Sequence, residues 1–423
     1  MADMDANKFL LMGNGPIVNR GCEAIVLGIG KIIEREFGPS RFLLASFAQD
    51  RQEDLPGNIM PIALDFKRPR WSRAWWRYQA SKIGLTREEI SSFVKPLHGR
   101  LEGIMAAFSI GGDGYSIDWG HYIVDRLIYM DKYVKSLGIP AIIWGASIGP
   151  FTQEPQFETE MKDHFKTLDL IIVREPHSLS YLRELGVEEN VCMHPDPAFV
   201  LNAAPCDLGG ELAQVLQAPC LGVNLSMLLA KYVTVGDVGK WEELAVSMVR
   251  ALLHDTGMPL IMIPHVFGVR ISEKMDDKVF MKRIRERLKA HERKRVWVIE
   301  GEMNSENLKW VIGKLEALVS MRMHAAIAAL TSYIPCLSIA YSRKAWGLYE
   351  MVFSKAEWVI DARTLSPSML SAQTIAMLDK KERIIDSLER NIPSLQESAL
   401  SAAKRIRSTL SEKGWQGGKL EEH

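Results

Sequence analysis

Glu316-Ala-Leu-Val-Ser-Met-Arg-Met-His-Ala-Ala-Ile-Ala-Ala-Leu330 reads as a strand that runs straight into a helix. The apolar run Ala317 to Val319 predicts the strand, and the small residues Ala325 to Leu330 predict the helix. Arg322 and His324 therefore sit two residues apart on a strand-to-helix turn. In an open α/β sheet, ligands bind in the crevice beyond the strand C-termini. The first turn of the following helix offers unpaired N–H groups and a positive dipole end, which suits an anion. Arg322 can grip an anion with two parallel hydrogen bonds, and His324 can carry a proton near neutral pH. A plainer account also fits: Arg322 pairs with a local carboxylate, and His324 is a packed core histidine. The turn alone does not choose between them.

Outward from this turn, the chain repeats the same rhythm. In the first half, strands are predicted at Lys8 to Met12, Arg41 to Ser46, Ile59 to Ala63, Ala106 to Ile110, Pro140 to Trp144 and Asp169 to Val173. Glycine-bearing loops leave three of them: Gly13-Asn-Gly-Pro16, Gly111-Gly-Asp-Gly114 and Gly145-Ala-Ser-Ile-Gly-Pro150. Asp113 is placed to contact a ligand, unless it makes an Asx turn or caps the coming helix. Arg174 is a second arginine at a strand C-terminus. In the second half, strands are predicted at Cys220 to Asn224, Pro259 to Ile263, Val296 to Ile299, Ala317 to Val319 and Cys336 to Ala340, with His265 just past the second of these. Helices fill the gaps, including a basic one from Lys274 to Lys294 whose charges read as a solvated face. After Leu348 the chain reads as mainly helical to Gly414. Two consecutive α/β halves imply two Rossmann-like domains facing a cleft, braced by C-terminal helices. The expected division is 1–204, 205–350 and 351–423, with the acceptor on the first domain's side and the donor on the second's.

A chain of 423 residues exceeds one ordinary core, so two domains fit its length. Lys+Arg and Asp+Glu balance at 52 each, which does not suit a nucleic-acid binder. Five cysteines with no Cys-x-x-Cys spacing argue against a disulfide framework or a zinc site. The start, Met-Ala-Asp-Met-Asp-Ala, has no signal-peptide pattern, and no apolar run reaches the roughly 18–20 residues of a membrane span. A reducing, cytoplasmic setting is expected. One segment, Lys67-Arg-Pro-Arg-Trp-Ser-Arg-Ala-Trp-Trp-Arg-Tyr78, interleaves cationic and indole side chains. It suits peripheral contact with the inner face of a membrane, or equally a helix that packs its tryptophans inward.

Seven motifs, in order, resemble the polysaccharide pyruvyl transferase family. They are Asn19-Arg-Gly-Cys-Glu-Ala-Ile25, with Cys22 where the family has Asp; Gly111-Gly-Asp-Gly114; Trp144-Gly-Ala-Ser-Ile-Gly-Pro-Phe151; Val173-Arg-Glu-x-x-Ser178 with its Leu182–Val187 helix; Asp196-Pro-Ala-Phe199; Ser320-Met-Arg-Met-His-Ala325; and Tyr341-Ser-Arg-Lys344. The resemblance implies a GT-B-like fold. It also implies transfer of the enolpyruvyl unit of phosphoenolpyruvate onto two hydroxyls of a sugar, giving a pyruvate ketal with release of phosphate. No cofactor beyond the donor substrate is expected, and no metal-ligand spacing appears in the sequence. Arg322 and His324 fall on the family's Arg-x-His motif, and Arg174 on its other donor-site arginine. His324 is the candidate acid and Asp113 the candidate for orienting or deprotonating a hydroxyl. Asn19, Glu23, His265 and Lys344 are further cleft candidates. The partners implied are phosphoenolpyruvate and a saccharide acceptor, which the Lys67–Tyr78 segment suggests is lipid-linked. The competing expectations are a glycosyltransferase that uses a nucleotide-sugar, and a glycan-binding relative without turnover.

Overall fold

The computed structural model describes residues 6–46, 50–64, 71, 76, 94–268, 273 and 275–414. Most of the Lys67–Tyr78 segment lies outside the described residues; of its tryptophans, Trp71 and Trp76 are described, and both are exposed. The chain forms two compact units. The first comprises Met1–Pro16, Ile25–Pro197 and Ser398–His423; the second comprises Ile17–Ala24 and Ala198–Glu397.

The first unit is built on seven strands: β1 (Asn7–Met12), β2 (Ser40–Ser46), β3 (Ile59–Ala63), β4 (Ile104–Ser109), β5 (Ala141–Ala146), β6 (Leu170–Val173) and β7 (Val191–Met193). Their order is β3-β2-β1-β4-β5-β6-β7, and every pairing is parallel. Runs such as Ala141–Ala146 and Leu170–Val173 are buried along their whole length, as strands covered by helices on both faces must be. Helices His121–Ser136 and Pro155–Thr167 supply the crossovers on either side of β5. The aromatic centre is Phe9, stacked on Phe42 and Phe108, with Trp144 edge-on to Phe108 at 5.3 Å.

The second unit repeats the plan with six parallel strands: β8 (Leu221–Asn224), β9 (Leu260–Met262), β10 (Val296–Val298), β11 (Ala317–Ser320), β12 (Cys336–Ala340) and β13 (Val359–Asp361). The order is β10-β9-β8-β11-β12-β13. In both sheets the order reverses beside the first strand, at β1/β4 and at β8/β11, so each is Rossmann-like with its own switch point. The fold is thus α/β with two Rossmann-like domains, as the motif rhythm implies.

Three details depart from the sequence reading. β7 and β13 are three-residue edge strands, too short to leave a periodic signal, and β13 interrupts the stretch read as helical after Leu348. The basic helix is two pieces, Asp277–Glu286 and Ala290–Arg293, separated by Arg287, Leu288 and Lys289. Beyond β13 the chain is helical over Pro367–Asp379 and Lys381–Glu412.

The helix Arg20–Phe37 carries two glycines with opposite roles. A Cβ on Gly28 would lie 2.1 Å from the Pro197 carbonyl oxygen, backbone against backbone, whereas one on Gly30 would meet only Phe42 Cε2 at 3.8 Å. Gly28→Ala should destabilise the protein by about 2 kcal/mol, since overpacking outweighs the gain in helix propensity. Gly30→Ala should be neutral or stabilising by up to about 1 kcal/mol. Denaturant midpoints of the two variants, at unchanged slope, check the pair.

Candidate active site

In the second unit, the loops leaving β8, β9 and β11 meet at the switch point. Asn224, at the end of β8, donates from Nδ2 to the Ile263 carbonyl at 2.8 Å and accepts the Met321 N–H at 3.3 Å, tying the three strand ends together. Ser320 Oγ accepts the Arg322 N–H at 3.2 Å and donates to the Arg322 carbonyl at 2.8 Å, which closes the turn. The helix Met323–Leu330 starts directly on Arg322, whose side chain makes no cap hydrogen bond. A helix start that its own N-cap side chain does not cap is a place where an anion can be received. The alanines let this helix lie close on the sheet, and Ala325 to Leu330 are all buried.

Arg322 is held by Asp277. The guanidinium donates from Nη2 to Oδ1 at 2.7 Å and from Nε to Oδ2 at 3.2 Å. Asp277 is fully buried and also accepts the backbone N–H groups of His265 and Val266, at 3.2 and 3.0 Å. Burial pushes its carboxyl above the usual range, against the pull of Arg322 and the two N–H groups. Burial works against the charge on Arg322, but Asp277, with Tyr341 and Cys22 nearby, raises its pKa above the ordinary value. The paired edge of the fork is thus spent, and 16% of the side chain remains exposed.

His265 is packed beneath this pair. Its imidazole is held down to about 3 by burial first, then by the charges of His324, Arg322 and Arg20, so it is neutral at pH 7. Its Nδ1 is buried without a hydrogen-bond partner among the described residues. The opening motif joins the same unit: Asn19 bridges to Val266, the Arg20 N–H donates to the His265 carbonyl at 2.8 Å, and the Asn19 side chain accepts the Gly21 N–H at 3.1 Å. Glu23 is buried and accepts the Ser305 N–H at 2.6 Å; burial raises its pKa despite Arg20 and Ser305. Gly21 faces His324 so closely that a Cβ there would lie 2.4 Å from Nδ1 and 2.7 Å from Cγ of the imidazole. Only glycine leaves room for the ring. Lys344 lies to one side, donating to the Tyr341 hydroxyl at 3.2 Å over a ring stacked on Tyr232.

The first unit holds the other two sequence candidates together. Arg174, at the end of β6, donates to Asp196 and to Asp113, each at 2.8 Å, to the Gly112 carbonyl at 3.1 Å and to Ser147 Oγ at 3.0 Å. Its side chain is 3% exposed, whereas that of Asp113 is 21% exposed. Arg174 is expected to offer its fork to a donor; in this structure the fork is already filled by two carboxylates and orders the glycine loop that presents Asp113. Elsewhere in this unit, a hollow of about 540 Å³ opens at the N-terminal ends of β4 and β5, the opposite edge from the Gly111–Gly114 loop. Its lysines, Lys135 and Lys413, both pair with Asp169.

Sequence reasoning did not single out Asp277, Gly21 or Arg20 as site residues. Asp277 follows the helix-capping Asp276 and reads as an ordinary acidic first turn. Gly21 and Arg20 lie inside a recognised motif, and only the contact with the loop after β9 and with His324 gives them a role. Among the described residues, no group of three or more His, Cys, Asp or Glu side chains is placed to hold a metal ion.

A sequence model of the family described as polysaccharide pyruvyl transferase matches residues 19–343. Among solved structures, the chain is similar to a putative UDP-N-acetylglucosamine 2-epimerase from Listeria monocytogenes, with a TM-score of 0.63 at 11% identity over 99% of this chain and 100% of that one. It is also similar to an alpha,alpha-trehalose-phosphate synthase (UDP-forming) from Burkholderia xenovorans, with a TM-score of 0.60 at 11% identity over 96% of this chain and 100% of that one. At such identities the likeness establishes the fold, two Rossmann-like domains of the GT-B-like class.

Two outcomes follow from this packing. Gly21→Ala should displace the His324 ring and shift its imidazole resonances in an NMR titration, while changing stability by less than about 1 kcal/mol. Unchanged resonances would mean that the backbone yields instead of the ring. For His265, the folded state binds its proton far less readily than the unfolded chain, whose pKa is about 6.5. Stability present above pH 6.5 should therefore be lost as pH falls toward 3, by about 5 kcal/mol at most. His265→Gln should remove that share of the slope in unfolding free energy measured from pH 7 to pH 4.

Proposed function

The chain belongs to the polysaccharide pyruvyl transferase family, and from that premise we propose that it moves the pyruvyl unit of phosphoenolpyruvate onto two hydroxyls of a saccharide, forming a cyclic ketal. The observation that carries this reading is the β11 turn, where Arg322, His324 and the start of the helix Met323–Leu330 are gathered around a neutral His265. Such a donor carries about three negative charges, and a guanidinium beside a helix N-terminus meets that need.

In the proposed reaction the His324 imidazolium gives its proton to the methylene carbon of the donor. The neighbouring carbon becomes oxocarbenium-like, and both acceptor hydroxyl oxygens bond to it in turn. The C–O bond to phosphate breaks, and phosphate leaves as the monohydrogen dianion. The two hydroxyls release two protons: one leaves on phosphate, and the other restores His324. We assign Asp113 the orienting or deprotonation of an acceptor hydroxyl, and Arg174 the positioning of Asp113. Asn19, Glu23 and His265 shape the turn, and Lys344 is a further cation at its edge. On sequence grounds we propose a lipid-linked saccharide as acceptor; among the described residues, no helix is long and apolar enough to cross a membrane.

His324→Ala should lower phosphate release from phosphoenolpyruvate in the presence of an acceptor by about 10²–10⁴-fold, with an unchanged melting temperature. Full activity in that variant would remove the proposed acid. A nucleotide-sugar reaction is the second reading, because the solved structures named above include a UDP-forming synthase. Ligand-induced thermal stabilisation separates the two: phosphoenolpyruvate at 100 times its Kd should add about 2.7 kcal/mol, and a nucleoside diphosphate none. Stabilisation by the nucleotide alone would favour the glycosyltransferase. Glycan binding without turnover of any donor would favour the inactive relative that Cys22 keeps open.

A further inference from the structure

Arg20 is a buried cation that the proposed reaction has not used. It opens the helix Arg20–Phe37, is 8% exposed, and lays its guanidinium 4.8 Å from the centroid of the Phe267 ring. Among the described residues two acceptors reach it, the Ile17 carbonyl and Glu23 Oε2, both 3.4 Å from Nη1. Charge-assisted bonds are normally about 2.7–2.9 Å, so both contacts are loose. Its Nε is buried with no hydrogen-bond partner among the described residues. The carboxylate that could answer it, Glu23, is drawn to the Ser305 N–H at 2.6 Å. On the same Phe267 ring, Lys278 lies 4.3 Å from the centroid, but it is occupied by the Glu300 and Gly301 carbonyls. A buried charged donor left unfilled is costly, and such groups call for an explanation such as a missing ligand.

The position of Arg20 says which ligand. Its N–H binds the His265 carbonyl; the His265 N–H binds Asp277; and Asp277 grips Arg322. The next residue, Gly21, lies against the His324 ring. Arg20 is thus three hydrogen-bonded links from one member of the Arg-x-His motif and one residue from contact with the other, all within one unit. The two arginines differ in how far they are neutralised. Arg322 has a bidentate carboxylate at 2.7 and 3.2 Å, whereas Arg20 has a single contact with Glu23 at 3.4 Å. The larger unmatched charge sits on Arg20, and it suits the more highly charged end of a small phosphorylated acid.

We propose that Arg20 is a further donor-binding residue that takes the phosphoryl group, and hence the departing phosphate, while Arg322 and the helix start at Met323 take the carboxylate. The assignment of the two ends rests on the pyruvyl-transfer reading. The phosphate site itself does not.

Calorimetric titration of the full chain with phosphoenolpyruvate, inorganic phosphate and pyruvate tests this in the wild type, Arg20→Gln and Arg20→Lys. Arg20→Gln should weaken phosphate and phosphoenolpyruvate by at least about 10-fold and leave pyruvate unchanged; Arg20→Lys, which keeps the charge and loses the fork, should fall between. Unaltered phosphate affinity in a folded Arg20→Gln protein overturns the assignment, as does a wild type that binds neither phosphate nor phosphoenolpyruvate. If Arg20→Gln does not fold, Arg20→Lys decides: affinity equal to wild type overturns the assignment, and a loss supports it. A wild type that binds phosphate through Arg20 yet makes no ketal sinks the pyruvyl-transfer reading alone. Wild-type ketal formation with undiminished phosphate binding in Arg20→Gln sinks the Arg20 assignment alone.

Discussion

The second unit's site hangs on the carboxylate of Asp277. Four N–H donors converge on it: two from Arg322 and the backbone groups of His265 and Val266. A buried ion pair adds little net stability, because desolvation offsets the attraction. What it contributes here is geometry. One side chain fixes the loop after β9 to the guanidinium after β11, although 45 residues separate Asp277 from Arg322. The loop after β9 then carries the antiparallel bridge to Asn19, so the opening motif is registered against the same carboxylate.

That registration gives the glycine of the motif its meaning. Residues Ile17–Ala24 fold with the second unit although the strand before them, β1, belongs to the first. Gly21 lies against His324, and the room for an imidazole at that point exists because position 21 has no side chain. The burial of His265 is a second consequence. Kept neutral by its surroundings, it fills space near Arg322 and Arg20 without adding a further positive charge. The site is therefore positive through selected groups and not by simple accumulation of basic residues.

The strand framework was legible in the sequence because parallel strands buried on both faces leave continuous apolar runs, and the glycine and Arg-x-His loops mark their C-terminal ends. Val191–Met193 and Val359–Asp361 left no such trace: three residues at a sheet edge are defined by their neighbour, not by their own pattern. The site was legible only as residue types. Arg322 and His324 stand out on their turn, but nothing in the spacing shows that Asp277 reaches Arg322 across 45 positions. Contiguous blocks of sequence also hide the grouping of Ile17–Ala24 with Ala198–Glu397, since strand-loop-helix patterning looks the same whichever sheet the loop serves.

The three arginines show why position at a strand end is a weak guide to ligand contact. Arg174 meets every sequence criterion for a donor-site residue, yet its donors are filled by Asp196, Asp113, Gly112 and Ser147, and its side chain is 3% exposed. A guanidinium so fully answered has little to gain from an anion, and breaking its bonds would leave two carboxylates unpaired. Arg322 is answered along one edge and partly open on the other. Arg20 is enclosed but loosely answered, with Nε unfilled. Hydrogen-bond satisfaction, more than charge or burial, is what distinguishes the three guanidinium groups: that of Arg174 is filled and orders a loop, that of Arg322 is filled along one edge, and that of Arg20 is only loosely met.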